Sequence, residues 1–281
     1  MHSPLEIALA YIEIGKHKVN LSYFKMILLG MFAGIFIALA GIGASVAPVS
    51  ISNPSIAKLV GSLVFPAGLA MVIIAGGELF TGNNLIIIAV LEKQITVRKM
   101  LANWFFVYIG NLLGSILVAA LVVYGHTPDL FDGLLAQKMV ELGAYRCNMD
   151  FTNALIRGIL CNILVCIATW MSFATKSVSG KLITLYSPVM LFVLCGFEHS
   201  VADMYFTFAA YFASMEYQIT AEGVTLLNIF MHCLLPVTIG NVIGGAGIVG
   251  CGYWLGYIRH TPFHASTDKE EQDEIDIAEE Y

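Results

Sequence analysis

Four ionisable side chains lie inside long apolar stretches of this 281-residue chain: Glu78, Glu198, His199 and Asp203. A charged group at the centre of a membrane-spanning helix costs about 2.5–3.5 kcal/mol on insertion scales, so such residues usually serve a specific purpose. Imidazole gains and loses a proton near neutral pH, which would let His199 give a hydrogen bond or a proton to a passing solute. The adjacent pair Glu198 and His199 therefore predicts a polar path through apolar surroundings.

The three acids also have structural interpretations. Glu78 and Glu198 stand next to glycine-rich breaks, where a carboxylate can accept hydrogen bonds from freed backbone N–H groups, and this favours a scaffold role for both. Asp203 follows His199 by one helical turn, so the two side chains share a face. Asp203 would either polarise the imidazole through its opposite charge or cap the local turn.

The elements that must position these residues are apolar and long. The chain is 58% hydrophobic and 12% charged, with a mean hydropathy of +0.80, whereas a soluble domain carries about 25% charged residues. A spanning helix needs about 20 mostly apolar residues. Six membrane elements are predicted, at residues 24–46, 56–91, 100–124, 151–174, 182–212 and 226–258.

The second and fifth elements are interrupted. Residues 75–84 (AGGELFTGNN) and 192–203 (FVLCGFEHSVAD) put glycine and polar side chains between apolar halves. Unwound backbone at membrane depth survives only where protein or water satisfies its polar groups. Each element is therefore predicted to be two shorter helices joined by a loop.

The chain also contains an internal repeat. Residues 109–114 and 239–244 both read I-G-N-x-x-G and occupy the third element of each half. Three spans per half would invert the second copy, and broken helices at matching places in inverted repeats indicate a pathway between them. The alternative is a chance similarity between two glycine-rich helices.

Charge placement predicts the orientation. With the N-terminus inside, the cytoplasmic segments hold ten Lys and Arg residues and the outer loops hold three, namely Lys58, Lys138 and Arg146. This bias places both termini in the cytoplasm. The predicted organisation is a cytoplasmic segment at 1–23, a six-helix membrane domain at 24–258 and an acidic cytoplasmic tail at 259–281. Residues 4–18 would form an amphipathic helix that either anchors at the membrane surface or docks onto the domain.

Other classes of protein fit less well. The six cysteines form no CxxC motif and are predicted to be packing residues, and no metal site, cofactor or nucleic-acid partner is expected. A membrane enzyme could use Glu78, Glu198 and His199 for acid–base chemistry, but no catalytic set accompanies them. A neutral-solute channel of the aquaporin class would share the architecture, yet the paired Asn-Pro-Ala motifs of that class are absent.

The sequence resembles the formate/nitrite transporter family over about residues 20–258. Five segments in order carry the resemblance: 77–82 (GELFTG), 110–115 (GNLLGS), 161–166 (CNILVC), 196–202 (GFEHSVA) and 235–241 (LPVTIGN). The resemblance implies an all-α, aquaporin-like protomer with its own pore, assembled as a homopentamer in the cytoplasmic membrane.

The resemblance also implies roles for residues. The central pore histidine would be His199, with Thr81 as its partner, and Arg146 would attract anions. Phe65, Leu69, Leu79, Phe80 and Phe192 would form the apolar constrictions, while Glu78, Asn162, Glu198 and Asp203 would form the supporting polar network. Three positions depart from the family pattern, since Asp203 and His232 each replace an Asn and Arg146 replaces a Lys.

A small monovalent weak-acid anion is the substrate that this implies. A bare anion cannot cheaply enter an apolar constriction, whereas a weak acid that gains a proton as it loses water can. The compact aromatic pair favours formate, with nitrite, hydrosulfide, lactate and acetate as alternatives. Both a channel and an anion–proton symporter are compatible with the sequence.

Overall fold

A computed structural model describes residues 1–259; the predicted acidic tail from residue 260 onward, including Lys269, lies outside the described residues. All the regular secondary structure of residues 1–259 is helical. We number its principal helices α1 (Pro4–Val19), α2 (Tyr23–Val46), α3 (Pro54–Gly76), α4 (Gly82–Leu91), α5 (Val97–Tyr124), α6 (Leu134–Cys147), α7 (Phe151–Ser172), α8 (Val178–Leu194), α9 (Ser200–Glu216) and α10 (Leu226–Tyr257).

The all-helical membrane fold is confirmed, whereas the count of six membrane elements stays a prediction. Within residues 1–259, five helices are long and apolar enough to cross a membrane: α2, α3, α5, α7 and α10. The fifth predicted element corresponds to two shorter helices joined by a loop, α8 and α9, each of 17 residues. A helix of that length rises about 26 Å at 1.5 Å per residue, less than a hydrocarbon core of about 30 Å. The break in this element therefore leaves neither half long enough to count as a spanning helix.

Glycine permits both predicted breaks. Gly76 ends α3 with a φ of 93°, and Gly196 follows α8 with a φ of 70°. Side chains other than glycine rarely adopt these left-handed angles. Residues 77–81 and 195–199 then run without α-helical structure before α4 and α9 begin. The breaks therefore place Glu78, Thr81, Glu198 and His199 on irregular backbone inside the bundle.

Close helix packing holds each half together. A Cβ at Gly34 or Gly114 would lie 2.2 Å from the Asn111 carbonyl oxygen or 2.1 Å from the Met31 carbonyl oxygen, so α2 and α5 approach to backbone contact. In the second half, a Cβ at Gly240 or Gly244 would lie 2.2 Å from a carbonyl oxygen of α7. The first and third helices of each half, α2 with α5 and α7 with α10, thus make the same close approach.

Helix α1 packs against the bundle. Ile7, Ala8 and Tyr11 are buried, and the Tyr11 ring stacks on Trp170 of α7 with centroids 5.5 Å apart. Ser3 caps the helix, since its hydroxyl accepts the Glu6 N–H. The apolar face of α1 thus contacts protein, as the docked alternative predicted.

Candidate functional site

Asn111 of α5 holds the first break in place. Its amide nitrogen donates to the carbonyl oxygens of Gly30 and Glu78, both at 2.8 Å. Its amide oxygen accepts the Phe80 N–H at 2.9 Å. Because the side chain is fully buried, these three bonds satisfy backbone groups that water does not reach.

Asn241 of α10 holds the second break through the same three bonds. Its amide nitrogen donates to the carbonyl oxygens of Gly158, at 2.8 Å, and Glu198, at 3.1 Å, and its oxygen accepts the Ser200 N–H at 2.9 Å. Each asparagine is the N of the I-G-N-x-x-G motif. The repeat that the motif predicted is therefore present in the hydrogen-bonding of the two halves.

His199 and Thr81 meet between the two breaks. The His199 Nε2 and Thr81 Oγ1 atoms are 2.8 Å apart, and both residues are buried. The Ala202 N–H donates to the other ring nitrogen, Nδ1, at 3.1 Å, so the imidazole caps α9. A nitrogen that accepts carries no proton, and the neutral ring therefore has its proton on Nε2. The ring presents an N–H donor towards Thr81.

Apolar rings lie on both sides of this contact. The Phe192 ring stacks at 5.9 Å from His199 and meets Phe65 edge-on at 5.7 Å. Phe80, next to Thr81, packs edge-on against Trp104 and Tyr108. Leu69 and Leu79 are buried in the same apolar cluster. Of the predicted constriction residues, Phe192 packs against the imidazole and Phe65 packs against Phe192, while Phe80 directly precedes Thr81, the hydrogen-bond partner of His199.

A cavity of about 550 Å³ leads to His199 from the side of Phe65 and Phe192. We call it the Arg146 vestibule, after the residue at its inner wall. The Arg146 Nε lies 2.9 Å from Asp203 Oδ1 and 3.2 Å from Glu198 Oε2. Two acids therefore offset the one charge that was predicted to attract anions. Asp203 contacts this guanidinium, while the two ring nitrogens of His199 bond to Thr81 and Ala202.

Three other cations line the Arg146 vestibule, and one of them, Lys138, pairs with Glu141. Lys58 of α3 and Arg157 of α7 have no carboxylate within 4.0 Å among the described residues. Arg157 donates to the Tyr145 hydroxyl and to the Gly196 carbonyl oxygen, the latter at 3.4 Å. The sequence signal for Arg157 was its position inside a predicted span, where a charge is costly.

A second ionic cluster lies at the first break. The Lys18 Nζ is 2.7 Å from Glu78 Oε1, and Asn83 donates to Glu78 Oε2 at 2.7 Å. Asn83 also donates to Asn103, whose amide donates to the Lys18 carbonyl oxygen. Sequence reasoning missed Lys18, Asn83 and Asn103. Lys18 and Arg146 occupy equivalent places, because each ends the helix that precedes the first span of its half.

The predicted supporting residues form separate groups rather than one network. Asn162 donates to the carbonyl oxygens of Thr81, at 3.3 Å, and Asn241, at 2.7 Å. Glu78 belongs to the Lys18 cluster, and Glu198 and Asp203 belong to the Arg146 cluster. His232 is exposed on α10, outside all three groups. The replacement at this position therefore leaves those contacts untouched.

A buried polar centre beside an aromatic pair, built by two repeats in a bundle of membrane-length helices, is the arrangement of a membrane transport protein. The formate/nitrite transporter family model matches residues 5–255. The chain belongs to this family.

Two named relatives and one solved structure are similar to this chain over most of its length. The chain is 34% identical over 275 residues to the formate channel FocA of Escherichia coli (strain K12), covering 93% of this chain and 96% of that one. It is 36% identical over 261 residues to the formate channel BtFdhC of Bacillus thuringiensis, covering 91% and 96%. A pentameric formate channel with formate bound superposes with a TM-score of 0.75 at 32% identity, covering 85% of this chain and 98% of that chain.

Proposed function

We propose that this protein moves small monovalent weak-acid anions, formate first, across the cytoplasmic membrane through a path in each chain. The observation that carries the proposal is the His199–Thr81 hydrogen bond at the inner end of the Arg146 vestibule, directly behind Phe65 and Phe192. Two relatives at 34% and 36% identity are named as formate channels. Chemical turnover of the solute has no part in the proposal.

The proposed mechanism follows from desolvation. The rings of Phe65 and Phe192 exclude a hydrated ion, so the anion must exchange water for protein donors as it passes. The Nε2–H of His199 is such a donor, since it need only turn from Thr81 to the anion. A hydrogen bond to a charged group contributes about 1.5–3 kcal/mol, enough to offset part of the lost hydration. If a proton from the aqueous phase enters with the anion, the solute crosses the second apolar ring as a neutral acid, while His199 keeps its own Nε2 proton and acts as the hydrogen-bond donor.

Assembly and orientation complete the proposal. The superposed relative is pentameric, and we propose a homopentamer for this chain as well. Both termini face the cytoplasm according to the Lys and Arg distribution. The exposed apolar side chains of the long helices, such as Phe24, Phe105 and Leu121, then face lipid or neighbouring subunits. The Arg146 vestibule opens to the outside in this orientation.

An uptake panel tests the substrate class. Proteoliposomes should take up formate faster than acetate or lactate, with nitrite and hydrosulfide as close competitors, because the aromatic pair favours compact ions. Formamide serves as the neutral control of similar size, and empty liposomes set the background. Rapid formamide entry without formate entry would indicate a neutral-solute channel and contradict the proposal. Proton uptake that accompanies formate at a fixed ratio would identify symport, and its absence a channel.

The vestibule cations give a second prediction. The double variant Lys58→Gln and Arg157→Gln should raise the formate KM about tenfold with little change in the maximal rate, because unpaired cations concentrate anions before the constriction. Raising the ionic strength should reduce the difference in formate KM between wild type and the double variant, because salt screens the two charges. Lys181→Gln, which removes a cation at the start of α8 outside this vestibule, is the matched control. An unchanged KM in the double variant at low salt would contradict this role.

A further inference from the structure

One equivalent position of the two breaks has an amide in the first half and an acid in the second. In the first half, Asn83 lies five residues after Glu78 and donates its amide N–H to that carboxylate at 2.7 Å. In the second half, Asp203 occupies the same place relative to Glu198. Each glutamate also faces one cation, Lys18 in the first half and Arg146 in the second. The second half thus has an acid where the first half uses an amide donor.

The second cluster contains a buried hydrogen-bond acceptor that has no donor. Asp203 is 1% exposed, and its Oδ1 accepts the Arg146 Nε–H at 2.9 Å. Its Oδ2 is buried without a hydrogen-bond partner, and the Glu198 carboxylate lies on the same Arg146 Nε atom at 3.2 Å. Ionised carboxylates contain acceptors alone, so neither can bond to the other until one is protonated. One guanidinium neutralises one of the two charges.

We propose that the Glu198–Asp203 pair is a proton-binding site, and that loss of its proton suppresses the passage of anions past His199. The bound proton satisfies Asp203 Oδ2 and reproduces the Asn83–Glu78 hydrogen bond of the first half. With the proton, the cluster of Arg146, Glu198 and Asp203 is neutral; without it, the cluster carries one negative charge at the inner wall of the vestibule. That charge repels an anion, so acid favours flux and alkali opposes it. The transport consequence rests on the proposed function.

The surroundings of the pair allow this assignment. The ionisable groups that face it from the neighbouring helices and loops are Arg146, Lys58, His199, Tyr108, Cys147, Cys161 and Cys233. Arg146 is the cation in direct contact, and Lys58 lies further out in the vestibule. Cys147, Cys161, Cys233 and Tyr108 are neutral in their ordinary state near pH 7. His199 can also exchange a proton, but its ring nitrogens bond to Thr81 and Ala202 and not to the two carboxyl groups.

Infrared titration tests the proton without transport. Purified protein should show the C=O band of a protonated carboxylic acid at low pH, and this band should disappear on titration to alkaline pH. Asp203→Asn should lack the band. Glu141→Gln removes an exposed carboxylate that pairs with Lys138 in the same vestibule, and it should keep the band. A titration in which wild type and Asp203→Asn give the same spectra would overturn the proposal.

Flux measurements test the consequence. The ratio of formate uptake by Asp203→Asn to that by wild type should be near one at about pH 5 and rise to about tenfold at about pH 8, since one added charge opposes the anion. The ratio for Glu141→Gln should stay constant. A constant ratio for Asp203→Asn would overturn the suppression by proton loss. Failure of every form of the protein to take up formate would instead contradict the proposed function, and the infrared titration would still decide whether the pair binds a proton.

Discussion

Proteoliposomes that contain His199→Asn should take up formate between tenfold and a hundredfold more slowly than those with wild-type protein. The loss of one hydrogen bond to a charged group is worth about 1.5–3 kcal/mol, and each 1.4 kcal/mol is a factor of ten in rate. Asparagine is shorter than histidine and exchanges no proton near neutral pH. We therefore also expect the pH dependence of uptake to change.

The choice of asparagine separates two roles of His199. Its Nδ1 caps α9 by accepting the Ala202 N–H, and its Nε2–H faces Thr81. Asparagine is among the best N-capping residues, so His199→Asn retains the cap, whereas His199→Ala loses it at a cost of about 1 kcal/mol. Both variants should lose flux, but the alanine variant alone should also lose thermal stability. Wild-type flux and pH profile in His199→Asn would rule out the pore role.

Thr81 provides a control within the same contact. Thr81→Val removes the hydroxyl that lies 2.8 Å from Nε2 while keeping the side-chain shape. If the two residues act as one unit, the double variant should be little slower than His199→Asn alone, because effects of interacting residues are not additive. Independent roles would instead multiply the two losses. The double-mutant cycle therefore reports whether the hydrogen bond in the resting protein matters to transport.

Local sequence was sufficient to predict the breaks. Gly76, Gly196 and the polar residues after each of them interrupt apolar runs, and no alternative packing of those runs would satisfy the freed backbone. The I-G-N-x-x-G motif also predicted two related halves, because Asn111 and Asn241 mark the same position in each. These features depend on residues that are close together in sequence or on a motif that occurs twice. Pattern reasoning detects both.

Long-range ion pairs were not predictable in the same way. Lys18 lies on a helix that looks like a surface segment, and it reaches Glu78 only because α1 docks at the first break. Asp203 was predicted beside His199 by helical spacing, yet Arg146 of α6 binds it instead. Which cation reaches which acid depends on the approach of separate helices. The sequence pattern shows the charges but not their partners.

Asn111→Leu and Asn241→Leu should each destabilise the protein by about 3 kcal/mol or more. Each substitution removes three hydrogen bonds and leaves one carbonyl group and one N–H of the break buried without partners, since the remaining acceptor, Gly30 or Gly158, is inside a helix. An orphaned buried polar group costs about 1–3 kcal/mol. The expected result is a lower melting temperature in detergent and a smaller fraction of assembled protein. Because the two sites are equivalent, the two losses should be similar.

Asn148→Ala is the matched control for this prediction. Asn148 also donates two hydrogen bonds to carbonyl groups, those of Ala144 and Glu222, but it is exposed. Water can replace its bonds, so the loss should stay below about 1 kcal/mol. A small effect at either buried asparagine, equal to that of Asn148→Ala, would contradict the assignment of Asn111 and Asn241 as the supports of the breaks.

Asn241→Asp removes the N–H donors of this side chain but keeps a hydrogen-bond acceptor. The carboxylate still accepts the Ser200 N–H, but it places a negative charge against the carbonyl oxygens of Gly158 and Glu198 in place of two N–H donors. We expect it to destabilise at least as much as Asn241→Leu, since an unpaired buried charge is costlier than a lost amide. Ser200 follows His199 directly, so any Asn241 variant that still assembles should also slow formate uptake. Asn111→Asp should affect the Phe80 and Thr81 side of the same path, because its acceptor bond fixes the Phe80 N–H.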